Sequence, residues 1–184
     1  MRNMQVPCEL RLSLTEWVVL CLIREGPTHG FALSASLTPD SDLGQIWHIQ
    51  KAVVYRAVER LEHLGLIRTT GHEPSNLGPV RSLVKVTPQG RYAAKSWLAS
   101  PVAHPRDVRS ELLLKLALLD RANASPADLL RKQREQLLPI AAAIAARLEE
   151  TTGFERTLTL WRHESISAIL HFLNAVSVAA SSSP

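Results

Sequence analysis

Residues 48–70, HIQKAVVYRAVERLEHLGLIRTT, decide the fold of this 184-residue chain. Apolar side chains recur through the stretch with the period of an α-helix, which predicts a helix from about His48 to Gly65 with one inward face. That face comprises Val54, Ala57, Val58, Leu61 and Leu64. Gly65 fits the left-handed backbone position just beyond a helix end, and residues 66–70 then predict a β-strand.

A second strand is predicted at residues 80–87, VRSLVKVT. Residues 71–79, between the two strands, contain two Gly, two Pro and an Asn. Such a composition is typical of the loop of a β-hairpin. Thr87-Pro88 supplies an N-cap residue followed by proline in the first turn, so another helix is expected from there to about Leu98.

Two helices are predicted before the stretch that decides the fold. Ser13 and Glu16 have the spacing of a capping box, and the apolar run that follows predicts a buried helix. Gly26-Pro27 ends it, because this dipeptide is a turn signal. A short helix is expected at about 29–37, and residues 38–47 are predicted to be a loop.

The order helix, helix, helix, two-stranded hairpin, helix is that of a winged helix-turn-helix, and residues 1–98 are predicted to form such a domain. Residues 99–105 contain two prolines and predict a linker. Residues 106–180 are expected to form an all-helical domain, so the protein is mainly α. Its three helices are predicted at about 106–121, 126–150 and 154–179.

The last of these helices carries an apolar seam whose members are three or four residues apart. This is close to heptad spacing, and such a seam needs another helix to cover it. The seam comprises Phe154, Leu158, Trp161, Ser165, Ile169, Phe172 and Val176.

Positive charge is concentrated around the predicted third helix and hairpin. Residues 48–95 contain eight Lys or Arg and three Glu, whereas residues 99–184 contain ten Lys or Arg and nine Asp or Glu; the whole chain has a net charge of +4. This distribution favours a polyanionic partner. A solvated basic surface is the alternative interpretation.

A winged helix-turn-helix places its third helix in the DNA major groove, with the N-terminal residues nearest the base edges. A step of about 100° per residue puts Lys51 at the edge of the outer side of this helix, whose members are Ala52, Tyr55, Arg56 and Glu59. Gln50 and Lys51 can donate hydrogen bonds to base edges or phosphates. Tyr55 and Arg56 can hold the DNA backbone, while the small side chain of Ala52 permits close approach.

The hairpin adds three candidate DNA contacts. Arg68, Arg81 and Lys85 are cations on its two strands, and long cations on a protruding hairpin can contact phosphates beside the groove. For Lys85, an ordinary solvent-facing strand position is the alternative.

Other candidate sites are weaker. One hypothesis is a pocket for an aromatic effector, lined by Trp17, Trp97 and Trp161. The alternative is that these tryptophans are core residues, as is common for this residue type. His163, Glu164 and His171 do not form a clean pair of ligands on one helix face, so no metal site is predicted. The sequence contains no catalytic motif or phosphate-binding glycine loop, and we expect neither enzyme activity nor a cofactor.

Several features favour a cytoplasmic protein. No apolar run approaches the roughly 20 residues that span a bilayer, and the N-terminus lacks the apolar region of a signal peptide. Cys8 and Cys21 are too few for a disulfide framework, and we expect both to be reduced.

Three stretches resemble the PadR family of transcriptional regulators. They are LTEWVVLCLIREGPTHGFAL (residues 14–33), VYRAVERLEHLGLI (54–67) and VTPQG (86–90). The first contains G-P-x-H-G-[YF]-x-L and the second Y-x-x-[LV]-x-R-L-E-x-x-G-L-I, a combination typical of that family. Within the wing, SLVKV (82–86) departs from the more basic, tyrosine-containing strand of family members.

The resemblance implies a homodimeric DNA-binding regulator, often a repressor, whose C-terminal helices build the dimer. It also implies an effector that is small and often aromatic or amphipathic. Tyr55 matches the recognition-helix tyrosine of the family, and His29-Gly30 matches the turn before the second helix. We therefore expect a sequence-specific regulator that binds a palindromic duplex operator. The alternative is a protein-interaction module on a winged-helix scaffold that does not bind DNA.

Overall fold

The computed structural model describes residues 11–73 and 81–182. These residues group into two compact units. The first contains residues 11–44, 48–73 and 81–94, and the second contains residues 45–47 and 95–182.

The first unit begins with α1 (Leu14–Glu25), whose capping box is formed as predicted. The Ser13 N–H donates to Glu16 Oε2 at 2.6 Å, and the Glu16 N–H donates to Ser13 Oγ at 3.3 Å. Five of the apolar residues of α1 are no more than 3% exposed, which makes it the central helix of this unit: Val18, Val19, Leu20, Cys21 and Ile23.

Three helices follow: α2 (Gly30–Ala35), α3 (Asp42–Ile46) and α4 (Lys51–His63). The prediction of a loop at residues 38–47 was wrong, because α3 lies within it. Ser41 Oγ accepts a hydrogen bond from the Gly44 N–H at 3.1 Å at the start of this helix. Leu43 is the buried apolar residue of the helix. So short a helix has no apolar repeat by which the sequence would reveal it.

The inward face of α4 was predicted correctly, with Val54, Ala57 and Leu61 no more than 3% exposed. Gly65, just beyond the helix, has a φ of +69°, as expected for a residue in the left-handed conformation.

The wing consists of β1 (Ile67–Glu73) and β2 (Arg81–Val86), which pair antiparallel. Its predicted loop falls mostly on residues 74–80, outside the described residues. A β-bridge joins Thr28 to Val84 through two backbone hydrogen bonds of 3.1 and 2.8 Å, so the turn before α2 is fixed to the wing.

The helix after the wing, α5 (Pro88–Ala99), begins where the Thr-Pro signal predicted. Thr87 Oγ1 accepts from the Gly90 N–H at 3.1 Å and donates to the backbone oxygens of Gly65 and Leu66, at 2.8 and 3.0 Å. One side chain therefore caps α5 and fixes it to the chain that leads into β1.

The second unit contains a 3₁₀ turn (Pro105–Asp107), a π-helical turn (Val108–Leu112) and three helices: α6 (Leu113–Arg121), α7 (Ala127–Glu150) and α8 (Gly153–Ser182). The three helices match the predicted ones closely. Their common core contains Val102, Val108, Leu112, Leu129, Leu130, Leu137, Ile166 and Leu173.

Residues 99–105, predicted as a linker, are packed into the second unit. Val102 is 2% exposed, and its N–H and C=O both bond to the side chain of the fully buried Gln133, at 2.7 and 3.1 Å. Since both backbone groups are satisfied inside the core, this segment is a structural part of the unit.

The fold class predicted from the sequence is confirmed: a winged helix with a helical C-terminal region. Among the residues that the structure describes, no helix is both long and apolar enough to cross a membrane.

Candidate nucleic-acid interface

The N-terminal end of α4 presents an exposed polar face. The predicted contact residues on it are all exposed, namely Gln50, Lys51, Ala52, Tyr55 and Arg56. Gln50 occupies the N-cap position, yet its side chain makes no capping hydrogen bond to the described backbone of α4. Its amide therefore remains able to contact a ligand in front of the helix.

Two of these residues belong to a cation–aromatic cluster, which we define as Phe31, Lys51, Tyr55 and Arg81. The Lys51 Nζ lies 5.6 Å from the ring centroid of Phe31 and 5.9 Å from that of Tyr55. The Arg81 Cζ lies 4.9 Å from the centroid of Phe31. These distances are within the range of cation–π attraction. The cluster joins α2, α4 and β2 on one surface.

Phe31 is not among the contacts predicted from the sequence. It lies inside the motif G-P-x-H-G-[YF], and the signal that would have identified it is an aromatic residue at the exposed start of a short helix. The structure leaves it 51% exposed. Exposure of a large aromatic ring between two cations distinguishes it from the core residues of α2.

The start of α2 is held in place from two sides. His29 caps the helix, since its Nδ1 accepts from the Ala32 N–H at 3.1 Å. Gly30 lies against the ring of Tyr55, and a Cβ at this position would be 2.8 Å from Tyr55 Cε1. Only glycine lets α2 approach α4 this closely without moving the ring.

Two of the three predicted wing cations are exposed and face each other, and the third, Arg81, is half-buried. Arg68 of β1 and Lys85 of β2 are direct cross-strand partners, and both side chains are exposed. Like charges in this arrangement repel and destabilise a sheet. Arg81 lies four residues before Lys85 on β2, on the same face of the strand. The cross-strand partner of Arg81 is Glu73, so the positive charge that an anion would relieve is concentrated at the pair Arg68 and Lys85.

Cations in this unit differ in whether they have an internal counter-ion. Arg60 pairs with Glu16, Nε to Oε1 at 2.9 Å. Within the described part of the chain, five of the predicted DNA contacts form no ion pair: Lys51, Arg56, Arg68, Arg81 and Lys85. Their charge is available to an external partner.

A separate candidate site is a cavity of about 1060 Å³ in the second unit. Its wall includes Trp161 and residues of the π-helical turn, and four charged residues are part of its lining: Arg106, Asp107, Arg109 and Arg162. The aliphatic and aromatic part of the wall includes Leu113, Ile140, Ile144, Ile166, Ile169 and Phe172. An apolar cavity with a few charged groups is the usual form of a small-molecule site.

The structure does not bring the three predicted pocket tryptophans together in this cavity. Trp161 lines it, whereas Trp17 and Trp97 do not. Trp97 is 8% exposed and donates from Nε1 to Glu111 Oε1 at 3.1 Å. The ammonium of the buried Lys115 lies 4.7 Å from its ring centroid. Trp97 is thus a core residue of the second unit.

The predicted apolar seam on α8 divides into two parts. Ile169, Phe172 and Val176 pack against the core of the second unit. Near the start of the helix, Phe154 and Trp161 are 81% and 71% exposed, and Leu158 is 40% exposed. Only this leading part of the seam lacks cover within the described chain.

The exposed leading end of α4, a basic two-stranded wing and the order of elements define a winged-helix transcription regulator. A family model described as "Transcriptional regulator PadR-like family" matches residues 19–96. This match confirms, over residues 19–96, the resemblance seen in the sequence. The members of this family are transcriptional regulators and not enzymes.

Solved structures with a similar fold include Bacillus subtilis PadR in complex with operator DNA, at 18% identity and a TM-score of 0.47, covering 91% of this chain and 99% of that one. Bacillus subtilis PadR in complex with p-coumaric acid is 16% identical with a TM-score of 0.42, and the match covers 92% of this chain and 97% of that one. The PadR-like transcriptional regulator BC1756 from Bacillus cereus is 17% identical with a TM-score of 0.39, and the match covers 91% of this chain and 98% of that one. A comparison with curated proteins finds no match.

Proposed function

We propose that this protein is a sequence-specific DNA-binding repressor that acts as a homodimer and releases its operator when a small molecule binds. The observation that carries the proposal is a set of five cations on α4 and the wing that form no ion pair within the described residues; four of them are exposed and Arg81 is half-buried. A polyanion is the partner that such a surface fits best.

The leading end of α4 enters the major groove. Gln50 and Lys51 donate to base edges, and Ala52 allows the helix to approach closely. Tyr55 and Arg56, one turn further along, donate to phosphates and fix the register of the helix on the duplex.

The wing supplies the rest of the phosphate contacts. Arg68, Arg81 and Lys85 extend from its strands beside the groove that α4 occupies. Each phosphate that they neutralise steepens the dependence of log Kd on log salt by about 0.9.

The second unit is the dimerisation domain. Phe154, Leu158 and Trp161 on α8 are covered by the same helix of a second copy, because large exposed apolar side chains on one helix face mark an interface. Two-fold symmetry then requires a palindromic operator, with half-sites about 34 Å apart or a multiple of that distance.

The cavity of the second unit is the effector site. Its mostly apolar wall, whose lining includes Arg106, Arg109 and Arg162, fits a small aromatic or amphipathic molecule. A matched test compares the wild type with Ile144→Trp, which places a larger side chain at the cavity wall and occludes part of the cavity. The aromatic dye anilinonaphthalene sulfonate is expected to bind the wild type and to bind the variant much more weakly, while both bind DNA equally.

The decisive experiment is selection of bound sites from random duplex DNA, followed by titration of the selected site. We expect a palindrome and, for Lys51→Ala and Tyr55→Ala, a Kd raised about tenfold each, since a hydrogen bond to a charged group contributes roughly 1.5 kcal/mol. Lys95→Ala on α5 is the control and should bind normally. Selection of no sequence, or unchanged binding by both variants, would leave the protein-interaction module as the better interpretation.

Dimerisation is tested by sedimentation. The wild type is expected to be a dimer at micromolar concentration, and the double variant Phe154→Ser, Trp161→Ser a monomer. A monomeric wild type that binds single half-sites would contradict the homodimer. Repression is tested with a reporter behind the selected site, whose expression should fall when the protein is supplied.

A further inference from the structure

We propose that Phe31 is a positioning residue of the DNA interface, whose ring holds the charged ends of Lys51 and Arg81 ready for the duplex. The inference rests on the proposed function, because it assigns a role to a residue beside the proposed contacts.

The ring is the common contact of two cations that come from different elements. Arg81 belongs to β2 and lies 4.9 Å from its centroid, and Lys51 belongs to α4 and lies 5.6 Å away. Neither cation forms an ion pair within the described residues. Two like charges therefore converge on one aromatic ring that attracts both, and a bound anion would relieve the repulsion between them.

Holding the two cations in place favours binding. Lysine and arginine lose much rotational freedom when they are fixed against a ligand. A side chain that is already ordered in the free protein has less entropy to lose on binding. Phe31 thus reduces the entropic cost for one contact of α4 and one contact of the wing at the same time.

The position of the ring is itself fixed. The β-bridge between Thr28 and Val84 ties the preceding residues to β2, and the cap by His29 orients the first turn of α2. The contact between Gly30 and Tyr55 sets the distance to α4. Phe31 therefore stands at a defined point between the recognition helix and the wing.

A role in the core is a poor explanation for this residue. Phe31 is 51% exposed, whereas Leu33 of the same helix is 2% exposed and carries the packing of α2. Replacing the exposed ring is expected to alter the surface without opening a cavity.

The test compares Phe31→Leu, Phe31→Tyr and the wild type on a duplex site selected from random DNA with the wild-type protein. Leucine keeps apolar bulk but has no π face, so it separates cation–π attraction from a direct apolar contact with DNA. We expect Phe31→Leu to raise Kd about 4- to 25-fold, since the loss of pre-ordering costs about two- to fivefold for each of the two cations. Phe31→Tyr should restore binding to within about twofold, because tyrosine has an equivalent ring.

A double-mutant cycle on Kd distinguishes positioning of the two cations by Phe31 from a merely structural role of the ring. In a Lys51→Ala, Arg81→Ala background, Phe31→Leu should change Kd less than about twofold, since the groups that the ring holds are gone. Tyr92, 78% exposed on α5, is the matched control: Tyr92→Leu should leave Kd unchanged.

The outcomes are distinguishable. If the wild type selects no DNA sequence, the proposed function falls and this inference falls with it. If the wild type binds its selected site and Phe31→Leu binds equally well, or if the effect of Phe31→Leu is undiminished in the background without the two cations, only the role of Phe31 is overturned.

Discussion

Replacing Lys85 with glutamine should stabilise the protein and weaken its binding to DNA. Lys85 and Arg68 are direct cross-strand partners on the exposed side of the wing. If their charged ends separate to about 7 Å, Coulomb repulsion in a water-like dielectric is about 0.6 kcal/mol, and salt near 0.1 M reduces it to about 0.3 kcal/mol. For a chain of this length, relief of that repulsion raises Tm by about 1–2 °C.

The effect on DNA binding has the opposite sign. Loss of one phosphate contact should reduce the slope of log Kd against log salt by about 0.9. The ratio of the variant Kd to the wild-type Kd should therefore fall by about 3.5-fold between about 50 and 200 mM salt. Tm is measured by calorimetry at low salt, and Kd by fluorescence anisotropy on the selected site at four salt concentrations.

Two further variants make the reasoning refutable. Arg68→Gln should raise Tm by the same amount as Lys85→Gln, and the double variant should gain nothing more, because the first substitution already removes the repulsion. Lys95→Gln on α5 controls for net charge, because it removes one positive charge from a helix, where no cation lies opposite on a neighbouring strand. Lower stability of Lys85→Gln, together with an unchanged salt slope, would show that neither the repulsion nor the phosphate contact exists.

Three other substitutions test particular contacts. Gly30→Ala should displace the ring of Tyr55, which lies 2.8 Å from the added Cβ, and raise the operator Kd about tenfold with little change in Tm, because a side-chain hydrogen bond to a phosphate is lost. Gly90→Ala puts a Cβ 2.0 Å from a backbone oxygen and should lower the free energy of unfolding, measured by urea titration, by about 1–3 kcal/mol or more. Gly71→Ala is the control: its added Cβ meets open space, so the free energy of unfolding should fall far less. Gln133→Leu leaves the buried Val102 N–H without a partner, while the Val102 C=O keeps its bond from Gln136 Nε2 at 3.2 Å. The substitution should cost about 1–3 kcal/mol, seen as a lower urea midpoint; an unchanged midpoint would mean that water replaces the amide.

Most of the helices and strands could be predicted because their signals are local. The capping box of Ser13 and Glu16, the apolar face of α4 and the Thr87-Pro88 start of α5 each involve residues within a few turns of one another, so sequence spacing alone reports them. The short α3 is different. Its five residues contain no repeat, and it is defined by contacts such as that of Ser41 with Gly44.

The candidate site was predicted only in part. The outer face of α4 follows from the geometry of a helix whose inner face is known, so the exposure of Lys51 and Tyr55 could be expected. The contribution of Trp97 could not, because a buried tryptophan and a pocket tryptophan look alike in sequence. Its bond to Glu111 and its contact with Lys115 appear only when the second unit folds.

The sequence by itself determined most of the helices, the two strands and where the basic residues concentrate, since periodicity, caps and turn residues act over short distances. Tertiary structure alone decided that Phe31 meets Arg81 and that Arg68 faces Lys85. The first depends on packing between segments distant in the chain. The second depends on the strand register, which includes an irregularity between Thr69 and Gly71, and a shift of one residue there would change every cross-strand pair.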